Sequence, residues 1–153
     1  MGSFTRLTYH IVFATKYRKR IIDSEIRQKL YQYIGGTLRA NKGHAIEIGG
    51  VEDHVHILAG LSPSLAVSEV IRDVKASSSK WLKTECGKSQ FEWQKGYGGF
   101  SVSFDRVNAV RSYIQNQDLH HKTLSFQEEY IGFLERHGID FRIEHLFEGE
   151  HTG

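Results

Sequence analysis

The chain has 153 residues, of which 39% are hydrophobic and 25% charged, and its formal net charge is +2. This composition is typical of one soluble globular domain and excludes collagen-like, coiled-coil and low-complexity proteins. Cys86 is the one cysteine of the sequence, so an internal disulfide is excluded and the reducing cytoplasm is favoured. No apolar run reaches the length of a membrane span, and the first residues lack the pattern of a signal peptide. We therefore expect a single cytoplasmic domain over residues 1–153, with no membrane partner.

Basic residues are concentrated in the first third of the chain. Residues 1–50 carry nine basic and three acidic side chains, whereas residues 118–153 carry three basic and eight acidic ones. The densest basic cluster follows a predicted strand and consists of Lys16, Arg18, Lys19 and Arg20. Charge alone leaves two interpretations open, an edge that binds a polyanion or a solvated loop.

The first part of the chain contains the pattern of an α+β unit. β-Branched and aromatic residues, alternation and turn signals predict strands over residues 7–15, 44–50, 54–60 and 90–103, the last with a loop or bulge. Helical spacing predicts two helices between them, one from Asp23 or Ser24 to about Gly43 and one from residues 62–64 to about Thr84. The resulting order predicts a ferredoxin-like βαββαβ antiparallel sheet with helices on one face.

Two further helices are predicted after this unit. The first begins at Ser103 or Asp105 and ends near Gln117. The second opens with a capping box, in which Ser125 is followed by Glu128. Helices that are added to a core fold often carry function, so these C-terminal helices are candidates for part of the site.

His54 and His56 form the clearest pattern of potential metal ligands. They are two residues apart on a predicted strand, so both side chains leave one face, while Val55 points into the core. Imidazole nitrogens bind transition metals, but a site needs a third protein ligand, and the neighbouring Glu52 and Asp53 do not obviously supply it. The alternative is a pair of histidines on the solvent side of the sheet.

Tyr113 and Gln117 are spaced i, i+4 on the first added helix, so they lie on one face of it. A phenol beside an amide is chemically useful if this face meets the histidines. The alternative is that Tyr113 extends the buried stripe that includes Val110. His120 and His121 follow at the end of the helix, where a cation interacts favourably with the helix dipole.

Taken together, these motifs carry a resemblance. HVH at residues 54–56, the tyrosine in VRSYIQNQDLHH and the later SFQEEY resemble the single-tyrosine HUH transposases of bacterial insertion sequences. The segments YHIVFATKYRKR, VEDHVHIL, SSSKWL and WQKGYGGFSVS resemble that family in order and spacing, over about residues 7–140. The HxH pattern alone is weakly specific, whereas the ordered set is highly specific.

The resemblance implies a mechanism. It implies that His54, His56 and Gln117 hold a divalent ion, Mg²⁺ or Mn²⁺, and that Tyr113 is the nucleophile. The implied activity is that of a transposase, which cuts and rejoins single-stranded DNA with hairpin ends through a 5′-phosphotyrosine intermediate. The family is dimeric, with the tyrosine helix of one subunit meeting the histidines of the other, so we expect a homodimer with composite sites.

Several side chains are candidates for contacts with this DNA. Those proposed to contact the backbone are Lys16, Arg18, Lys19 and Arg20. Trp93 and Tyr97 could stack on unpaired bases, although aromatic residues at strand spacing more often belong to the core. Three lysines of the second predicted helix are further candidates, with an exposed helical face as the alternative: Lys75, Lys80 and Lys83.

Two other functions stay open at this stage. A domesticated relative that nicks repetitive hairpin DNA without moving an element would use the same chemistry and the same site. A non-catalytic nucleic-acid-binding module is also compatible with a ferredoxin-like sheet. Such a module would not need the set His54, His56, Tyr113 and Gln117.

Overall fold

The computed structural model describes residues 1–147, so the last six residues of the predicted domain 1–153 lie outside the described part. The strands are β1 (Thr8–Ala14), β2 (His44–Val51), β3 (His54–Gly60) and β4 (Gly98–Ser101). The helices are α1 (Ser24–Ala40), α2 (Val67–Glu85), α3 (Val107–Gln115), α4 (Gln117–His120), α5 (Phe126–Arg136) and α6 (Ile143–Leu146). Within residues 1–147, no helix has the length and apolar character needed to cross a membrane.

The strands form one antiparallel sheet in the order β2-β3-β1-β4. This is the strand order of a βαββαβ unit in which the two halves interleave. The predicted ferredoxin-like fold with added C-terminal helices is therefore confirmed.

The two faces of the sheet are covered by different helices. Alternate strand residues point to opposite faces, and the larger core forms where one face meets α1 and α2. The strand residues of this larger core are Ile11, Phe13, Val55, Ile57 and Ala59. The opposite face carries Val12, Ala14 and Phe100, which pack against α5. His54 and His56 are also on this second face and are fully buried, so the alternative of a solvent-facing histidine pair is wrong.

The predicted start of α2 is wrong. The helix begins at Val67, because residues 61–66 form an irregular segment in which Ser62 Oγ accepts a hydrogen bond from Ser64 N at 3.1 Å. Serine and proline favour such local turns as strongly as they favour helix starts.

The predicted strand over residues 90–103 is also too long, since β4 covers only Gly98–Ser101. Before it, Phe91 and Trp93 are buried in the larger core, and Trp93 makes a single bridge to Thr15. The period-two pattern therefore reflects the burial of aromatic side chains in a loop and not continuous strand pairing.

Two of the three predicted helix caps are confirmed. Asp23 Oδ1 accepts hydrogen bonds from the backbone nitrogens of Glu25 and Ile26 at the start of α1. At the start of α5, Ser125 and Glu128 form the reciprocal capping box. The third is wrong, because α3 begins at Val107 after a short 3-10 turn over Phe104–Arg106, and neither Ser103 nor Asp105 caps it with its side chain.

Helix α3 lies directly against β2. A methyl group at Gly49 would be 2.6 Å from the carbonyl oxygen of Ile114, so only glycine permits this close approach. Glu47 Oε1 also accepts hydrogen bonds from Arg111 Nε at 3.1 Å and from Gln115 Nε2 at 2.8 Å. These contacts fix the position of α3 at the edge of the second face.

Candidate metal centre and tyrosine site

Two histidines of β3 form the base of the site. The ring centroids of His54 and His56 are 5.1 Å apart. His54 Nδ1 donates to Asp53 Oδ1 at 2.7 Å, and His56 Nδ1 is hydrogen-bonded to His10 Nε2 at 2.8 Å. Because the Nδ1 atom of each ring is held by a hydrogen bond, the ring orientations are fixed and both Nε2 atoms point toward the C-terminal helices.

The carboxylate of Glu129 on α5 lies where these nitrogens point. Its Oε1 is 3.0 Å from His56 Nε2, 3.4 Å from His54 Nε2 and 3.2 Å from His121 Nε2. The Glu129 side chain is only 1% exposed. Potential ligand atoms of His54, His56, His121 and Glu129 all lie within 4.8 Å of one another, so this group can hold a metal ion.

Tyr113 and Gln117 reach the same place from α3 and α4. The predicted continuous helix is interrupted at Asn116 (φ −103°, ψ 26°), and α4 begins at Gln117. The hydroxyl of Tyr113 donates to Glu129 Oε2. Gln117 Nε2 donates to the same oxygen at 3.0 Å, while its Oε1 accepts from His54 Nε2 at 3.0 Å.

One protomer therefore brings together all the side chains that were predicted as nucleophile and ligands. These are His54, His56, Tyr113 and Gln117. A partner subunit is not needed to bring these groups into contact. The exchange of tyrosine helices within a homodimer stays a prediction.

The histidines of the cluster differ in charge. Burial lowers the pKa of His54, but its hydrogen bonds and charge interactions with Asp53 and Glu129 outweigh this and raise the pKa to about 9. Burial lowers the pKa of His56. Burial and the neighbouring His56 lower the pKa of His10 to about 3. At neutral pH, His54 is therefore protonated and donates from both nitrogens, whereas His10 and His56 are neutral.

In the hydrogen bond between Tyr113 and Glu129, the proton stays on the phenol and the carboxylate is ionised. Burial and the adjacent carboxylate raise the pKa of Tyr113 above its usual range. Burial also raises the pKa of Glu129, but contacts with His121, His54 and His56 outweigh this effect and hold that pKa well below its usual range. The hydrogen bond therefore orients the Tyr113 oxygen toward the histidines without deprotonating it.

His121 provides a test of whether the residues fit a cation. Its Nε2 is buried and, within residues 1–147, makes no hydrogen bond of acceptable geometry, although Glu129 Oε1 is nearby. Its ring lies against His54 with centroids 4.5 Å apart. An unpaired buried nitrogen is costly, and a cation between these imidazoles and the carboxylate would satisfy it. The donor set thus fits a divalent ion.

The basic cluster at the end of β1 forms a tight loop. Tyr17 and Arg18 have left-handed backbone conformations (φ 59° and 52°), which non-glycine residues adopt rarely. Thr15 Oγ1 donates to the carbonyl oxygen of Lys19 at 2.8 Å, and Lys16 forms an ion pair with Glu92 at 2.8 Å. The loop is therefore held in one shape that directs its basic side chains to different sides.

One side of this loop adjoins the histidine cluster. Arg18 and Arg20 line a cavity of about 230 Å³ whose walls also include Asp53 and His121. Two of the predicted DNA-contacting residues therefore lie beside the candidate metal centre.

The other side adjoins a larger cavity of about 840 Å³ between α2 and residues 92–97. Its walls include Lys16, Lys75 and the half-buried Tyr97. Trp93 belongs to the core instead, and its Nε1 donates to Ser78 Oγ at 3.0 Å. Of the two aromatic stacking candidates, only Tyr97 keeps appreciable exposure.

Sequence reasoning missed Glu129 and His10 and gave His121 no part in the site. Glu129 was within the SFQEEY segment that carried the resemblance, but no role was predicted for it. Its spacing was the available signal, because it lies three residues after the buried Phe126 and four before the buried Phe133. A carboxylate in the apolar stripe of a helix indicates a buried partner.

The chain is similar to known transposases in sequence. A family model described as "Transposase IS200 like" matches residues 3–117. The transposase for insertion sequence element IS200 from Salmonella typhimurium is 28% identical over 115 residues, which cover 71% of this chain and 75% of that protein. The ISDra2 transposase TnpA from Deinococcus radiodurans is 24% identical over 123 residues, covering 76% and 87% respectively.

Two solved structures share the fold. A candidate transposase from Deinococcus radiodurans R1 has a TM-score of 0.60 at 23% identity, covering 76% of this chain and 95% of that chain. A REP-associated tyrosine transposase bound to a REP hairpin has a TM-score of 0.60 at 15% identity, covering 99% and 95%. The family match spans most of the chain and includes both β3 histidines, Tyr113 and Gln117. The chain therefore belongs to the IS200-like transposase family.

Proposed function

We propose that this transposase cuts and rejoins single-stranded DNA at the ends of an insertion sequence, with Tyr113 as the nucleophile. The observation that carries the proposal is the convergence of the Tyr113 hydroxyl with His54, His56 and Gln117 around one buried carboxylate. A module that only binds nucleic acid has no need for this arrangement. Because it buries several ionisable groups, it is costly unless it serves chemistry.

In the proposed reaction, the Tyr113 oxygen attacks a backbone phosphorus of the DNA. A bond forms between the tyrosine oxygen and phosphorus, and the bond from phosphorus to the 3′ oxygen breaks. The products are a 5′-phosphotyrosine and a 3′-hydroxyl, and the proton lost by the phenol balances the proton gained by the leaving oxygen. One phosphodiester replaces another, so rejoining to a new 3′ end needs no ATP.

The residues that would hold a divalent ion, Mg²⁺ or Mn²⁺, are His54, His56 and Gln117. Such an ion supplies charge that polarises the scissile phosphate and stabilises the transition state. Asp53 and His10 orient the two imidazoles through their Nδ1 atoms. Burial of the histidine cluster limits access of water, which would otherwise compete with the DNA hydroxyl for the phosphotyrosine.

We infer that the DNA backbone approaches the site along the basic loop. The cavity lined by Arg18 and Arg20 adjoins His121, and the exposed Lys19 extends the basic surface away from it. Arginine pairs well with phosphate oxygens. A substrate with hairpin ends is supported by the REP-associated relative, which is described with a bound hairpin.

The covalent intermediate is the direct test. The full chain is incubated with labelled single-stranded DNA that carries the flanking hairpin, with Mg²⁺ or Mn²⁺, and denaturing electrophoresis detects a protein–DNA adduct. We expect an adduct with the unaltered chain and with Tyr33→Phe, whose ring packs on Trp81 far from the site. We expect none with Tyr113→Phe. Tight hairpin binding without any adduct would instead indicate a non-catalytic binding module.

The predicted composite site has its own test. Tyr113→Phe and His56→Ala proteins are mixed under conditions in which subunits exchange, and adduct formation is measured. Recovery of the adduct in heterodimers would support a homodimer in which the tyrosine acts on the partner's histidines. Heterodimers that recover no adduct would instead favour sites that are complete within one protomer.

The DNA path is tested by the salt dependence of hairpin binding. Arg20→Ala should weaken binding and reduce the slope of log affinity against log salt by about 0.7–0.9 for each lost phosphate contact. Lys29→Ala, an exposed change on α1, is the matched control and should leave the slope unchanged. Equal slopes for both variants would remove the basic loop from the interface.

A further inference from the structure

His121 and Glu129 lie beyond residues 3–117, the part of the chain that the family model matches. We propose that both are metal ligands in addition to His54, His56 and Gln117, and that the resulting site, with three histidines and one carboxylate, prefers Mn²⁺ or a similar transition ion to Mg²⁺. This inference rests on the proposed function only in that it concerns the same cation. It identifies two ligands beyond the set that the resemblance implies.

The first argument is the spacing of the ligand atoms. Atoms bonded to one first-row ion at about 2.0–2.2 Å lie roughly 3.0–3.5 Å from one another when the angles are tetrahedral or octahedral. Glu129 Oε1 lies 3.0, 3.4 and 3.2 Å from the Nε2 atoms of His56, His54 and His121. The carboxylate oxygen therefore already lies at coordination-sphere separations from each of the three nitrogens, and the ligand atoms of the four residues all lie within 4.8 Å of one another.

The second argument is that hydrogen bonds alone do not satisfy this cluster. A carboxylate oxygen offers about two lone-pair directions, yet three imidazole nitrogens surround Glu129 Oε1. His121 Nε2 is the atom left without a bond of acceptable geometry within residues 1–147. A cation resolves the mismatch, because each imidazole then contributes a lone pair to the ion and no longer needs an acceptor.

The third argument is the outer hydrogen bonding of the ligands. Metal-bound histidines usually engage their second nitrogen with a carboxylate or another acceptor. His54 engages Asp53 in this way and His56 engages His10. Gln117 Nε2 donates to Glu129 Oε2 and thereby orients the carboxylate. The cluster has the supporting contacts of a built metal site.

The donor set predicts the preference among ions. Mg²⁺ prefers oxygen ligands and retains several waters, so a buried set with three imidazoles suits it poorly. Transition ions such as Mn²⁺ accept imidazole together with carboxylate. The two carboxylates of Asp53 and Glu129, both beside the imidazoles, complement the charge of a divalent ion.

The test is metal binding by the full chain without DNA. Mn²⁺ is titrated into the protein and free Mn²⁺ is followed by electron paramagnetic resonance, and bound Mn²⁺ is then challenged with Mg²⁺. We expect one tight site per chain, displaced only by roughly a hundredfold or greater excess of Mg²⁺. Glu129→Gln and His121→Asn should each weaken Mn²⁺ binding at least about tenfold. Exposed Glu135→Gln and His145→Asn are the matched controls and should leave it unchanged.

A second readout separates ligation from a structural role. Pulsed electron paramagnetic resonance of bound Mn²⁺ detects the imidazole nitrogens that are coupled to the ion. We expect three coupled imidazoles in the unaltered chain and two in His121→Asn. Thermal unfolding with and without Mn²⁺ shows whether each variant folds, and Mn²⁺ should raise the melting temperature of Glu129→Gln much less than that of the unaltered chain.

Unchanged Mn²⁺ affinity in folded Glu129→Gln and His121→Asn would overturn the ligand assignment. Displacement of Mn²⁺ by an equal concentration of Mg²⁺ would overturn the preference. Adduct formation by the unaltered chain is measured in parallel, because it reports on the proposed function independently. A chain that forms the adduct but binds Mn²⁺ without Glu129 retains the function and loses this inference. If the chain binds Mn²⁺ through Glu129 but never forms the adduct, the ligand assignment stands and the proposed function is overturned.

Discussion

The two faces of the sheet are built on different physical principles. The face under α1 and α2 is covered by aliphatic and aromatic side chains, among them Phe13 and Ile57, and is held by non-directional burial of apolar surface. The face under α3, α4 and α5 contains ionisable and amide groups joined by directional hydrogen bonds, among them His10, His54, His56, Tyr113, Gln117 and Glu129.

Strand β3 separates these two roles between neighbouring residues. Val55 and Ile57 point into the apolar core, while His54 and His56 point into the polar cluster. Because the strand period is two, a single segment can stabilise the fold with one set of side chains and carry chemistry with the other. Substitutions on the two faces should therefore affect different measured quantities.

The largest expected effect is on the polar face. His56→Ala should reduce adduct formation at least about a hundredfold, because it removes a predicted ligand. Its free energy of unfolding should also fall, because His10 and Glu129 each lose a buried partner, so the adduct is compared per folded molecule. Adduct yield per folded molecule and denaturant unfolding are the two measurements, and a stability loss that matches the activity loss would contradict the division between faces.

The apolar neighbour should show the opposite pattern. Ile57 is fully buried, so Ile57→Ala should lower the free energy of unfolding by about 2–5 kcal/mol through lost burial and a cavity. Denaturant unfolding measures this loss, and Ile57→Val, with an expected cost of about 0.5–1.5 kcal/mol, is the graded control. Adduct formation per folded molecule should be retained in both variants, and its selective loss would show that the faces are coupled.

The contact of α3 with β2 should give a smaller effect on both quantities. Gly49→Ala places a methyl group 2.6 Å from Ile114 O, so α3 must shift, at a cost of about 1–3 kcal/mol, and Tyr113 shifts with it. Gly36→Ala is the control, since its methyl group meets only the end of the Arg39 side chain at 3.6 Å. That helical change should stabilise the chain by about 0.5–1 kcal/mol. Thermal unfolding and adduct rate report the difference.

The smallest expected effect concerns a lysine behind the apolar face. Burial lowers the pKa of Lys75 from 10.5 to about 8, and its Nζ donates to the carbonyl oxygens of Gln94 and Gly96. Between these two pKa values the unfolded chain binds more protons, so this group makes the free energy of unfolding rise with pH.

Lys75→Met should flatten that rise between about pH 8 and pH 10.5, measured by denaturant unfolding at several pH values. Lys80→Met changes an exposed lysine of the same helix and should leave the slope as it is. A slope unaffected by Lys75→Met would assign the pH dependence to other groups.

Patterns local in sequence predicted much of this molecule. The caps at Asp23 and Ser125 and the βαββαβ order follow from side-chain types and spacing within a few residues, and the structure confirms them. The errors at α2 and β4 arose where the same local pattern fits two structures, a turn or a helix start in one case and a buried loop or a strand in the other.

The sequence by itself determined that His54 and His56 share one face of a strand, because strand geometry is local. It also placed Tyr113 one helical turn before Gln117. Only the tertiary structure decided that Glu129, separated from His56 by 73 residues, meets the histidines and the phenol. The physical reason is that a buried carboxylate is stable only where several distant donors converge, and that convergence depends on how α5 packs over the sheet.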